Sequence, residues 1–252
     1  MKLIASGTVA SLLTIDRAFM LMTDLNKIPL FRLEPVPTPH KNSSKLRFVV
    51  DDRNNIISLV SSGYVLTQPR ETIQQLIKPF INEIESWKIY YGNGIVMARF
   101  RWENVLETNK IKFKPGILVR DSVTKMYRLK IYFAPYISEC GNELLITRAS
   151  FSRKHLGMVK YALEQFVRRF HEWLFNTSIL RVTHENMMKE VLDKETFESI
   201  IKDLGLPRKY TDGIKWCNGY TLWQLYMDLT NKLTTLNAPI QYHVKVSKLT
   251  RI

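Results

Sequence analysis

Residues 95–102 read IVMARFRW, and the runs IKFK (111–114) and MYRLKIYF (126–133) follow close behind. In an extended chain successive side chains point to opposite faces. Ile95, Met97, Arg99 and Arg101 therefore share one face of a strand, and Val96, Ala98, Phe100 and Trp102 share the other. Lys112 and Lys114 stand opposite Ile111 and Phe113 in the IKFK run. In MYRLKIYF, Arg128, Lys130 and Tyr132 share a face, with Tyr127, Leu129, Ile131 and Phe133 packed inward. The three runs read as neighbours in an antiparallel sheet with one apolar face and one basic face open to water.

Charge gives that face its meaning. From Lys88 to Lys130 there are ten basic residues against three acidic ones, a net of +7, which is half of the +14 carried by all 252 residues. Such an excess points to a polyanion, nucleic acid before an anionic membrane surface. Strands that merely face water also alternate apolar with charged residues; the bias towards one sign is what favours phosphate. With 45% hydrophobic and 11% aromatic residues the chain has ample material for a core.

Other chemistries lack their signatures. Cys140 and Cys217 are far apart and neither belongs to a C-x-x-C pair, so the sequence offers no zinc ribbon or iron–sulfur site, and a reduced, cytoplasmic protein is the expectation. His40, His155, His171, His184 and His243 show no spacing that puts two imidazoles on one helical face. No phosphate-binding glycine loop, nucleophile elbow or deaminase motif occurs. No catalytic residue, cofactor or metal is assigned. A metal-dependent nuclease needs clustered carboxylates, and adjacent Asp51 and Asp52 would point to opposite sides of a strand. Cys140 has no histidine near it in sequence and reads as a small apolar filler.

Along the chain, residues 1–32 read as an N-terminal arm. Its apolar stretch LIASGTVASLLTI is long enough for the core of a signal peptide, but the absence of a clear cleavage site favours a buried element ended by Asp16 and Arg17. Residues 33–45, with Pro35, Pro37 and Pro39, read as an extended connector. The sheet-rich basic region spans 46–150. It opens with a strand–turn–strand at LRFVVDDRNNIISLVSSGYVL and a helix at QPRETIQQLIKPFINEIESW, kinked at Pro79. Residues 151–252 read as a mainly helical part of the same domain. Helices are expected at HLGMVKYALEQFVRRFHEWLF, at THENMMKEVLDKETFESIIKDLG with a break near Asp193, and at TLWQLYMDLTNKLTTL. The closing IQYHVKVSKLTRI alternates and is expected as an edge strand. No segment elsewhere is long and apolar enough to span a membrane.

GYVL (63–66), ILVRDSVTKMYRLKIYFAPYISECGNELLI (117–146) and TLWQLYMDLTNKLT (221–234) carry a likeness to a known family. The segment from Gly63 to about Leu236 resembles the phage- and plasmid-associated proteins known as domain of unknown function 932. GYVL is similar to that family's opening motif. The run at 117–146 is similar to its central strand pair with a cysteine–x–asparagine element, here Cys140 to Asn142, and the run at 221–234 to its late helix. The family's glycine–aspartate turn is replaced by VTK, and its arginine before the cysteine by Ser138 and Glu139. The resemblance implies a mobile-element protein, viral or plasmid-borne, that acts on DNA, with kinship to single-strand annealing proteins.

The expectation is an α+β protein whose mainly antiparallel sheet has one basic face, followed by a helical C-terminal region. Its function is expected to be non-enzymatic binding or annealing of single-stranded DNA, with recombination as the setting. Arg99, Arg101, Lys112, Lys114, Arg120, Arg128, Lys130, Arg153 and Lys154 are the expected phosphate contacts. Tyr127 and Tyr132, with Tyr90 and Tyr91 nearby, are available to stack on bases. The alternatives are a mobile-element factor that docks on and inhibits a host protein, and a nuclease whose carboxylates converge only in the fold. Self-association is left open.

Overall fold

The computed structural model of the chain describes residues 1–8, 14–37, 45–108, 111–124, 126–137, 146–153, 161, 164–167 and 177–251. Twelve strands lie among them, paired antiparallel wherever a register is defined, and most of the helices fall in the C-terminal half. The fold is α+β. Two compact units divide the chain. One comprises Met1–Glu103, Gly116–Ile131 and Phe151–Trp173, and the other Asn104–Pro115, Tyr132–Ser150 and Leu174–Ile252.

The first unit begins with β1 (Lys2–Thr8), α1 (Thr14–Leu25), β2 (Phe31–Pro35), β3 (Leu46–Asp51) and β4 (Ile56–Ser61). The N-terminal stretch is thus no arm: β1 pairs with β5 (Ile84–Gly92), and β2 pairs with β3. Leu33 to Pro35 of the expected connector are strand; residues 38–44 lie outside the described residues. The β3–β4 hairpin forms where the sequence places it, because its turn is internally bonded. The Asp51 carboxylate accepts hydrogen bonds from the Arg53 and Asn55 amides at 3.0 and 2.8 Å and from Asn55 Nδ2 at 3.0 Å. Burial pushes the Asp51 carboxyl up, but these bonds outweigh it and hold the group below its ordinary value. Asn54 takes the left-handed conformation at φ 64°.

Helix α2 (Pro69–Ile77) carries Pro69 at its first turn and buries Ile73, Leu76 and Ile77. It is shorter than the sequence pattern suggests. Pro79 cannot donate the next helical hydrogen bond, so Lys78–Glu83 tightens to a 3-10 turn and Ile84 already belongs to β5. Two side chains tie the start of this helix to β2 and to the segment before it. Arg70 donates to the carbonyls of Asn26 and Ile28 beyond the end of α1, and Gln68 bonds both the amide and the carbonyl of Phe31, as a paired strand would.

Strands β5 and β6 (Ile95–Trp102) meet at Asn93 and Gly94, with φ 50° and 71°. Two successive residues with positive φ form the hairpin turn that matches strand twist, and asparagine–glycine is the sequence that tolerates it. The six-stranded sheet then runs in the order β1-β5-β6-β9-β10-β12, with β9 at Gly116–Ser122, β10 at Leu129–Phe133 and β12 at Ile146–Arg153. One of its faces is covered by helices: α1 packs on β1 and β5, and α2 on β9. Trp87, 2% exposed, is the anchor, its indole donating to Asp24 of α1 at 2.8 Å. Gly7 pairs directly with Trp87, and a Cβ there would fall inside the indole ring.

The second unit holds β7 (Leu106–Thr108), β8 (Ile111–Lys114) and β11 (Tyr136–Ile137), a three-stranded sheet in the order β11-β8-β7. Its helices are α3 (Thr177–Lys189), α4 (Lys194–Leu204), α5 (Leu222–Thr235) and α6 (Ile240–Val246). Asp193 breaks the α3–α4 segment and caps α4 by accepting from the Thr196 amide at 2.7 Å. Thr221 and Gln224 cap α5 reciprocally. The closing segment is not a strand: it is α6 followed by a 3-10 turn at Ser247–Arg251. Its buried residues His243, Val246, Ser247, Leu249 and Thr250 recur at helical spacing, and the alternation of Val244 and Val246 misleads. The expected helix at 155–175 falls mostly outside the described residues, of which 161 and 164–167 are helical.

His184 of α3 is 8% exposed and sets its ring edge-on to Trp223 of α5, with centroids 4.6 Å apart. Its Nδ1 is buried with no hydrogen-bond partner among the described residues. Burial lowers its pKa below the ordinary 6.5, against the opposing pull of Glu185.

Two outcomes are expected. Gly7→Ala lowers the urea midpoint, at a cost of about 1–3 kcal/mol from overpacking against Trp87; an unshifted midpoint would mean that the indole does not lie on β1. Because folded His184 resists protonation, the stability that it contributes is intact above pH 6.5 and is lost as pH falls below that value. Urea titrations of His184→Phe should therefore show a shallower loss of stability below pH 6.5 than the parent chain. Parallel pH profiles would rule out this role for His184.

Candidate nucleic-acid interface

Register assembles the basic face of the first unit. Arg99 pairs with Lys88 of β5 and with Leu118 of β9; Arg101 pairs with Ser86 and Gly116; Met97 pairs with Tyr90 and Arg120. Directly paired residues share a face. Lys88, Arg99, Arg101 and Arg120 therefore stand on the side opposite Trp87, Ile89, Ala98 and Phe100, which is the side that α1 covers. The alternation read from IVMARFRW is that of β6, whose Val96, Ala98, Phe100 and Trp102 are all buried.

Lys112 and Lys114 do not join this face. They lie on β8, in the other sheet and the other unit. Pro115, which has no amide hydrogen to give to a ladder, separates β8 from β9, and so the chain changes sheets there. Lys112 is exposed and Lys114 half-buried.

Nor is the basic face simply open to water. Met97 and Leu118 on it are 5% and 1% exposed, and Arg99, Arg101, Arg120 and Lys130 are half-buried; Lys88 and Arg128 are exposed. Guanidinium groups suit this setting, being planar, weakly hydrated and able to lie against apolar surface. Arg153 belongs to β12, while its side chain and the whole of Lys154 lie outside the described residues.

The tyrosines separate. Tyr132 is 4% exposed and cannot receive a base, which corrects its assignment as a stacking residue. Its place in the alternation of β10 points outward only if that side of the strand is wet, and it is not. Tyr91 leans on Phe31, with centroids 6.3 Å apart, beside the cluster of Phe31, Val49, Val60, Tyr64 and Val123; burial, then Asp51, raises its phenol pKa. Tyr90 is half-buried on the basic side. Tyr127 is the exposed one, at 36%, between Met126 at 67% and exposed Arg128. The Arg120 guanidinium carbon lies 4.4 Å from the centre of the Tyr127 ring. Arg120 Nε is buried without a hydrogen-bond partner among the described residues. A cation over a ring is held by the ring's quadrupole, so Arg120 steadies Tyr127 while the remaining ring surface stays accessible.

Lys88 is the member of this face that inspection of the three basic runs passes over. Its signal was present: Asn93–Gly94 fixes β5 against β6, and counting back from the turn sets Lys88 opposite Arg99. Among the described residues no group of three or more histidine, cysteine, aspartate or glutamate side chains converges as a metal site would require. Asp51 lies in its turn, and Asp121, fully buried, accepts from the Ser122 amide at 2.8 Å. Cys217 is exposed, Cys140 lies outside the described residues, and no described helix is long and apolar enough to cross a membrane.

Comparison with family models, curated proteins and solved structures gives no match.

Exposure makes the tyrosine assignment testable by chemistry. Brief treatment with tetranitromethane, followed by peptide mass spectrometry, should nitrate Tyr127 and spare Tyr132. Equal modification of the two would overturn the placement of Tyr132 in the core.

Proposed function

We propose that the chain is a non-enzymatic nucleic-acid-binding protein that favours single strands. The observation that carries this reading is the convergence of Lys88, Arg99, Arg101 and Arg120 on the side of β5, β6 and β9 that is turned away from α1, with the Arg120–Tyr127 stack on the same run of chain. A net charge of +14 supplies the long-range attraction. Phosphate contacts by Lys and Arg give affinity without sequence preference. Stacking on an aromatic ring adds about 1–3 kcal/mol per unpaired base, and a base inside a duplex has no free face to offer. Single-stranded DNA is the favoured ligand. Strand annealing and a mobile-element setting rest on the resemblance to domain of unknown function 932.

Fluorescence anisotropy of labelled single- and double-stranded oligonucleotides, at several salt concentrations, tests this. The parent chain should bind single strands more tightly, with affinity falling steeply as salt rises. Replacing Arg99 and Arg101 together by Ala should weaken binding to every sequence and flatten the salt slope by up to about 2, at about 0.7–0.9 per lost contact. Weak binding with a shallow slope, together with co-purification of a host protein after nuclease treatment, would replace this reading by that of a protein-docking factor.

A further inference from the structure

The second unit carries a basic surface that the sheet does not explain. From Gly205 to Arg251 the sequence has seven basic residues and two acidic ones. Of the two acids, Asp228 lies on α5, exposed and accepting a hydrogen bond from Tyr220, and Asp212, also exposed, is the one carboxylate of the loop that follows α4. That loop is ordered by its own bonds. Gly205 takes the left-handed conformation at φ 53° to end α4, and Arg208–Tyr210 forms a 3-10 turn whose Arg208 carbonyl accepts from the amides of Thr211 and Asp212.

Cations gather around it. Lys209 Nζ lies 4.9 Å from the centre of the Tyr210 ring; Tyr210 and Tyr242 are in ring contact at 5.2 Å; Lys245 Nζ lies 5.7 Å from the Tyr242 centre. Lys245 also donates to the Gly205 carbonyl at 2.7 Å. Lys232 Nζ approaches to 3.5 Å of where a side chain at Gly213 would begin. Arg208 and Lys209 are exposed, and Lys232 and Lys245 half-buried. None of the four forms an ion pair among the described residues.

Lysine side chains lose rotamer freedom when they are held. Here aromatic rings and a helix-end carbonyl hold Lys209 and Lys245 in place of carboxylates, so their charge is not cancelled locally. A cation set in this way, with Arg208 beside it, attracts an extended polyanion.

We infer that the loop after α4, through Arg208, Lys209 and Lys232, is a second phosphate-backbone contact for the single-stranded nucleic acid bound by this chain. The inference rests on the reading of the chain as a nucleic-acid-binding protein. Lys245 closes the end of α4 and serves the loop as a support. The contact is to phosphates and carries no base preference.

The test replaces Arg208, Lys209 and Lys232 together by Ala in the full chain. Anisotropy is measured with a labelled oligothymidine and with a mixed-sequence single strand across a salt series, and the urea midpoint checks the fold. The expected result is an unchanged midpoint and a salt slope lower by about 2, at about 0.7 per lost single-strand contact, equal for both oligonucleotides. An unchanged slope, while the Arg99/Arg101 variant loses its own, overturns the second contact and leaves the first reading standing. Absence of salt-dependent binding in the parent chain overturns both. If the midpoint falls, the single variant Lys209→Glu decides: an unchanged slope there overturns the inference. Loss of binding to phosphatidylserine vesicles, with oligonucleotide binding intact, overturns it in favour of a lipid surface.

Discussion

The register of β5 against β6 is the constraint on which the first unit depends. Side chains on a strand alternate, so a slip of one residue would turn either Lys88 of β5 or Arg99 of β6 under α1 and expose Trp87 or Phe100 in its place. Burying cations beneath an apolar helix costs several kcal/mol per charge, which is large beside the whole stability of a domain. Three features prevent the slip. Asn93 and Gly94 fix the turn at two residues, and a Cβ on Gly94 would strike Ile57, Val123 and Thr124. Gly7 leaves room on β1 for the Trp87 indole alone, and Asp24 accepts the indole hydrogen from the other side.

Given that register, arginine is the cation suited to the centre of the face. Arg99 sits opposite Leu118, and Arg120 opposite Met97, both apolar and buried. An ammonium at such a position would give up a tightly held hydration shell, whereas a guanidinium gives up less and can lie flat on its neighbours. Lysine appears where water is available, at exposed Lys88.

The period-two pattern of IVMARFRW shows which residues of β6 face the helices, and the alternation survives in the fold because both faces are sterically distinct. It does not show which strand lies beside which. IKFK has the same alternation and sits in another sheet, since the change of sheet is made by Pro115 and by the chain after Trp102, and no side-chain pattern within a strand records it. Helix ends were legible where a single residue supplies the capping bond, as at Asp193 and Thr221. They were not legible where a proline converts a helix into a turn and a strand takes over, as at Pro79 and Ile84. Alternation also misled at 240–252, where a short amphipathic helix and a half-buried strand give the same apolar spacing over four or five residues. The candidate site was legible in kind and only partly in membership. Charge sign is a property of composition, but Lys88, and the different fates of Tyr127 and Tyr132, follow from pairing and burial.

The two units hold their cations by different means, and in the function proposed here the difference separates two properties of binding. On the sheet, Arg99, Arg101 and Arg120 are half-buried, and the Arg120 guanidinium lies on an exposed tyrosine. Around the loop after α4, ammonium groups rest on Tyr210 and Tyr242 and act as point charges. Point charges contribute attraction that salt screens and that every phosphate satisfies equally. An aromatic face contributes a preference for unpaired bases that salt scarcely touches. On the proposed reading, affinity and strand preference reside in different side chains, so that loss of one need not entail loss of the other.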